Sequence, residues 1–506
     1  MTMKPLHVLC LLGLVLVTAC AAQQTAPVAS VPQEGTREAL QKQPKGPEYV
    51  GTQLAVDLDG TFYLLWLAVE WRKSWDVLFS RSEDFGATWS QPVSLKPDKS
   101  TVAFGLRIAA GPKGNVYVVW REGDAQTKVR HIRFVGSQDR GAHWGESHEL
   151  LGKSDDLGYP QLLADQDGGV YVAALIGPHY AHRSLTVAIS RDFGATFLSA
   201  PVRLSAAFPD SPNGIMNFRV ESDGQEGLYA VWEERPMGAV ESRIYLHRSS
   251  DGGRTWTAQP VLLSAPAEEY HLAHMPQIVA VPKGRVYVVW KQDVHRSGDQ
   301  QPESTKQWDR VIYFNRSLDY GQTWPAGPVR LNEAGARHDD SAMPGLSADQ
   351  HGHVYAVWLE PERVNAGSSQ LFFTRSTDFG TTWSAPMARL NHGSALNGAI
   401  VSPIVRDDGK GHVWVVWQEK VVNPNQWSVL MNRSEDYGGS WGARITALTG
   451  LPPRRGTFRE VSFLGDMQGH LAVAWNGDPP IEPISVNRSI DFGATWLSRE
   501  VLVGQR

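Results

Sequence analysis

One short phrase recurs eight times along this chain of 506 residues. It reads RSEDFGATW at 81–89, GSQDRGAHW at 136–144, ISRDFGATF at 189–197 and SSDGGRTW at 249–256. It returns as RSLDYGQTW at 316–324, RSTDFGTTW at 375–383, RSEDYGGSW at 433–441 and RSIDFGATW at 488–496. The shared aspartates are Asp84, Asp139, Asp192, Asp251, Asp319, Asp378, Asp436 and Asp491, spaced 53 to 68 residues apart. A period of that length makes the phrase architecture rather than a single piece of chemistry. Asp in a tight turn accepts hydrogen bonds from backbone N–H groups a few residues on, and Gly supplies the positive φ that the turn needs. The closing Trp is expected to pack under the next unit as an apolar plug.

Each box sits in a larger repeat. In MPGLSADQHGHVYAVWLE…LFFTRSTDFGTTWSAPMARL the pattern predicts a strand, a tight turn, a second strand, a variable loop, a third strand, the box and a fourth strand. The second strands align as FYLLW, VYVVW, VYVAA, LYAVW, VYVVW, VYAVW, VWVVW and LAVAW, β-branched and aromatic throughout. Four antiparallel strands repeated around one axis form an all-β propeller. Eight repeats predict eight blades, with seven and a displaced repeat as the alternative. Since the repeats run from a first strand to a fourth, blade 8 should close on blade 1 by packing, without a shared strand. Of 19 Trp, seven end a box and seven end a second strand, so these are read as core.

The box resembles the Asp-box, or BNR repeat, of sialidases and of many non-sialidase propellers, over residues 49–504. That resemblance implies that the boxes mark the face away from the functional one. It also implies, for a sialidase, three arginines clamping the substrate carboxylate, a Tyr nucleophile with a Glu, and an Asp acid/base. Leu106-Arg107-Ile108 is a partial echo of the family's first arginine motif. Arg219 in NFRVESDG and Arg459 in TFREVSF stand on corresponding inner strands, which makes Arg107, Arg219 and Arg459 the candidate clamp. No Tyr/Glu pair is evident; Tyr180 and Tyr270 are the loop tyrosines to inspect.

The top face should carry function, built from loops entering each first strand and loops between strands two and three. Several second strands run out into acids, namely Glu122, Glu234, Asp293, Glu360 and Glu419. They are candidates for a carboxylate ring around the channel; the alternative is pairing with arginines or plain solvation. The entering loops hold Asp155 and Asp156, Asp210 and Asn213, His271 and His274, His338-Asp339-Asp340, and Arg454 and Arg455. Their spacing matches no closed zinc or calcium site, so neither a metal nor a cofactor is expected. The longest loop, KQDVHRSGDQQPESTKQWDR at 291–310, is a candidate lid.

The N-terminus reads as an address. An apolar run at 6–17, LHVLCLLGLVLV, leads to VTAC, which resembles a bacterial lipobox. This predicts a signal peptide at 1–19, lipidation of Cys20, a Pro- and Gln-rich tether over 20–48, and the propeller over 49–504. Ala21 rather than Asp after the cysteine favours the outer membrane. Cys10 lies in the removed segment, leaving no disulfide in the mature domain. A net charge of −5 excludes the basic excess of a nucleic-acid binder. The expectation is a lipid-anchored envelope protein, monomeric and non-catalytic, binding a protein, peptide or glycan through its top face; the runner-up is a sialidase-like glycoside hydrolase.

Overall fold

In a computed structural model the described residues run from 47 to 504, apart from loop stretches of which 206–212, 265–271, 296–307, 333–341 and 477–483 are the longest. They form eight antiparallel sheets, each built from strands consecutive in the chain. The innermost strands are Glu48–Val56, Val102–Ala110, Gln161–Ala164, Asn213–Ser222, Leu272–Val281, Ala342–Ala348, Ile400–Asp407 and Val461–Gly465. The protein is thus an eight-bladed β-propeller. No sheet borrows a strand from another, so the ring closes by packing. At the seam the backbone N–H of Leu54 donates to Ser462 Oγ at 3.0 Å, and Asn476 Nδ2 donates to the Tyr49 carbonyl at 3.1 Å. Among the described residues no helix is long and apolar enough to cross a membrane.

The box lies between the third and fourth strands of every blade. In blade 6 the backbone N–H and the hydroxyl of Thr382 both donate to the Asp378 carboxylate, at 2.8 and 2.7 Å. Ser376 Oγ donates to the same carboxylate at 2.7 Å and accepts from the Gly380 N–H at 2.8 Å. These donors, the Thr382 N–H foremost, hold the Asp378 carboxyl down at about 2 against the opposing effect of burial. The turn needs two successive left-handed residues, and the first is not glycine: Phe379 has φ 59° and Gly380 φ 77°. A Cβ on Gly380 would stand 2.7 Å from the Phe314 ring of the preceding blade.

That contact corrects one expectation. The box aromatic packs on the preceding blade, not the next one. Trp144 meets Phe79, Phe197 meets Phe134, Trp383 meets Phe314 and Trp441 meets Phe373, edge to face with centroids 4.6–4.9 Å apart. Each partner lies on the third strand one blade earlier, because the turn folds the box onto the sheet face that looks back along the ring. These box tryptophans are half-buried. The second-strand tryptophans Trp66, Trp120, Trp232, Trp290, Trp358, Trp417 and Trp475 are wholly buried.

The arginine that opens most boxes laces the ring forward. Arg81 donates to the carbonyls of Asp139 and Arg140 at 3.2 and 2.9 Å, and Arg375 to those of Asp436 and Tyr437 at 2.9 and 2.7 Å. A second aspartate turn, unread in the sequence, joins strands one and two in six blades. Asp57, Asp165, Asp223, Asp349, Asp408 and Asp466 each accept from the N–H groups two and four residues on. Both turn sets crowd one end of the ring, so the opposite end carries the variable loops and the channel mouth.

Candidate functional site

Pairing register sets the height of each inner-strand residue in the channel. Gln53, Arg107, Gln161, Arg219 and Gln277 face Leu65, Val119, Ala173, Val231 and Val289. Each partner immediately precedes the last residue of its second-strand motif, so blades 1 to 5 place Gln, Arg, Gln, Arg and Gln at one level. Neighbours at this level touch: Arg219 Nε donates to Gln277 Oε1 at 3.1 Å, while Gln161 bridges to blade 4 through the Phe218 carbonyl and the Val220 N–H, at 2.8 and 2.9 Å. Arg107 and Arg219 also donate to their own strands, at the carbonyls of Leu106 and Phe218.

Two of the three proposed clamp arginines therefore share the channel, and Arg459 lies outside the described residues. Arg219 opens onto the channel but is enclosed by the ring. Burial, reinforced by the nearby Arg107 charge, lowers its pKa to about 10. Among the described residues Arg219 has no carboxylate partner. Deeper in the channel Glu221 pairs opposite Tyr229 and Arg406 opposite Trp414. Burial lifts the Glu221 carboxyl to about 7, and the Arg406 charge moderates the rise.

The acids at the ends of the second strands do not form an exposed ring. Glu122, Glu234, Glu360 and Glu419 are buried, and each accepts the indole N–H of the tryptophan two residues before it, at 2.8–3.0 Å. In a strand, residues i and i+2 lie on one face, which brings each acid to its own Trp inside the core. Asp293 is instead ion-paired, 3.2 Å from Lys291 Nζ and 3.6 Å from Arg310 Nε.

Comparing blades with one another exposes what single motifs hid. The residue after the second-strand Trp position is a leucine in blades 1, 3 and 6, namely Leu67, Leu175 and Leu359, all buried. In blades 2, 4, 5 and 7 the same place holds Arg121, Glu233, Lys291 and Gln418. Charges in an apolar slot cost stability unless fully bonded. Glu233, with no exposure, accepts from Asn217 Nδ2 at 2.7 Å and from His274 Nδ1 at 2.7 Å across the blade junction. Arg121 lies 4.4 Å from the Tyr159 ring and donates to the Leu157 carbonyl at 2.7 Å. Tyr159, half-exposed, sits at the mouth against Gly105.

Of the other loop candidates, Asp155 is exposed, and Asp156 is ion-paired with Arg183. Arg454 and Arg455 form a short strand beside Gln426 and Trp427, and Asn213 starts the inner strand of blade 4. Tyr180, Asp210, Tyr270, His271, His338, Asp339, Asp340 and most of the long loop after Trp290 lie outside the described residues. Among the described residues no three His, Cys, Asp or Glu side chains are placed to hold a metal. Surface clefts of about 540 and 520 Å³ lie beside the second box and at the seam, away from the channel arginines.

No family model and no curated protein matches this chain. Among solved structures it is similar to a polysaccharide lyase, an ulvan lyase, at 14% identity over 78% of this chain and 91% of that one, TM-score 0.48. It is also similar to an α-L-arabinanase of Penicillium chrysogenum, at 16% identity over 67% and 94%, TM-score 0.39. A third similarity is to an α-L-arabinofuranosidase of Fusarium graminearum, at 14% identity over 69% and 93%, TM-score 0.38. At these scores the likenesses carry nothing about the ligand of this chain.

Proposed function

We propose that this propeller binds an anionic partner, a glycan or an acidic peptide, at the mouth of its channel, without turning it over. The observation that carries this is Arg219, a guanidinium enclosed in the channel with Arg107 at its level and, among the described residues, only neutral hydrogen-bond partners. Enclosed like charges are unfavourable alone and become favourable when an anion bridges them. We further infer that the repeats are Asp-boxes of the sialidase-like superfamily, and that Cys20 carries a lipid. The protein then sits in the cell envelope, at the outer membrane, as a monomer tethered through residues 20–48.

The test is calorimetric titration of the full-length protein with acidic and neutral oligosaccharides, beside Arg219→Gln. Binding of acidic chains alone, lost in the variant, supports the reading; equal binding of neutral chains refutes it.

A sialidase-like hydrolase is the second reading, favoured by Arg107 and Arg219 opening onto one channel. Against it, the tyrosines bonded to carboxylates through Tyr63–Asp57, Tyr171–Asp165 and Tyr229–Asp223 belong to the turns at the far end. Release of a fluorophore from a sialic acid glycoside, abolished in Arg107→Ala, would establish turnover. A blank reaction from folded protein leaves the binding reading in place.

A further inference from the structure

This inference rests on the anion-binding reading and concerns the channel wall directly above Arg219, where blades 4 and 5 meet. Here a β-bulge decides which side chains share a face. In blade 5, His274 pairs with Lys291 and Gln277 with Val289, so Met275 and Pro276 together oppose Trp290. Residues three apart in a regular strand point to opposite faces; the bulge returns His274 and Gln277 to the same one. Met275 takes φ 54° to make it, an uncommon conformation for a non-glycine residue at a channel mouth. Blades 1, 2, 6 and 7 have the same bulge opposite their tryptophans. Blade 4 departs from them: Met216 and Asn217 oppose Glu233, one residue nearer the mouth.

The displacement brings Asn217 to Glu233, so the buried carboxylate is saturated by Asn217, by the His274 ring and, at 3.4 Å, by the Met275 N–H. A carboxylate accepts, so His274 Nδ1 carries a hydrogen and Nε2 is the ring nitrogen left free of Glu233. The His274 side chain is 23% exposed, and among the described residues Nε2 has no partner. Below it, Gln277 gives its oxygen to Arg219, which leaves the amide NH₂ to donate. The wall thus carries a guanidinium and an amide donor at one level and an imidazole nitrogen above them. The two levels are roughly 7 Å apart at strand rise.

We propose that this wall is one extended subsite for a sugar acid: Arg219 takes the carboxylate, and Gln277 and His274 Nε2 take hydroxyls of the same molecule. Glu233 and Asn217 are positioning residues that fix the orientation of the imidazole. A bare inorganic anion satisfies the guanidinium and the amide and leaves the imidazole without a partner. A hydroxylated carboxylate satisfies all three.

Titration of the full-length protein with galacturonate, with acetate and with sulfate separates the two layers of this reading. Wild-type protein is expected to bind galacturonate most tightly. His274→Phe should lower that affinity roughly five- to tenfold, as expected for one lost hydrogen bond, and leave acetate and sulfate unchanged. Arg219→Gln should weaken all three. Equal affinity of wild type for galacturonate and acetate overturns the sugar-acid subsite but spares the anion reading; no binding of any anion overturns both. A measurement on unmutated protein guards against misfolding of the variant. The ¹⁵N resonance of His274 Nε2 should shift on adding galacturonate and not on adding sulfate, and a resonance unmoved by galacturonate overturns the proposal.

Discussion

Trp290 donates its indole N–H to the side-chain oxygen of Gln292 at 3.0 Å, in the place where four other blades set a glutamate. The pair lies wholly inside the blade, so the acceptor is required and its charge is not. Gln292→Leu leaves a buried N–H unsatisfied and should cost about 1–3 kcal/mol. Gln292→Glu keeps the acceptor and should stay within about 1 kcal/mol of wild type. Denaturant unfolding of both variants checks this, and equal destabilisation would refute it.

Acid should unfold the ring steeply. Asp319, Asp378 and Asp436 are held at about 2, below the value of about 3.9 for an unfolded aspartate. A carboxyl with a depressed folded pKa stabilises the fold fully above its unfolded pKa, and that contribution is lost as pH falls towards the folded value. Melting temperature should therefore drop sharply between about pH 4 and pH 2. Asp378→Asn, which keeps the acceptor oxygen without the titration, should flatten part of that slope.

Glu221 has the opposite sign. Its carboxyl titrates near 7 in the fold and near 4.3 when unfolded, so ionisation costs stability as pH rises through that window. Glu221→Gln should gain roughly 1–3 kcal/mol over wild type at pH 8 and little at pH 4. A difference independent of pH would show that the carboxyl is already charged at low pH through Arg406.

The forward lacing of boxes should matter more than its exposed setting suggests. Arg375→Lys keeps the charge but replaces the planar guanidinium whose Nη1 donates to both the Asp436 and Tyr437 carbonyls. A loss of about 1–2 kcal/mol is expected in urea unfolding, nearly unchanged by added salt because the acceptors are carbonyls. Strong salt dependence would instead point to the nearby carboxylates.

What could be read in advance follows from period. The eight boxes and the second-strand motifs repeat in the sequence itself, so blade number, strand order and closure without a shared strand were legible. The partner of each second-strand glutamate was also within reach, since Trp417 and Glu419 are two apart on one strand face. Taking those acids as a rim overlooked that geometry. The direction of the box tryptophan was not legible, because the linear text does not say which neighbouring blade a turn folds against. Least visible was the Glu233–His274 contact. It joins two blades and depends on a bulge shifted by one residue, and Asn217, Glu233 and His274 form no motif. The available signal was the break in the repeat itself, a glutamate where three other blades write leucine.

The strand directions at the seam have a further consequence. Glu48 pairs with Val69 near the end of its second strand, and Val503 pairs with Ile484 at the start of its third. Both described ends of the chain therefore stand at the rim of the channel mouth, not among the boxes. An acyl group on Cys20 would hang the ring by that rim, like a lamp from its open side. The arginines would then look towards the lipid surface, and ligands shed from or growing out of that surface would reach them first. The laced underside would be what the rest of the compartment meets.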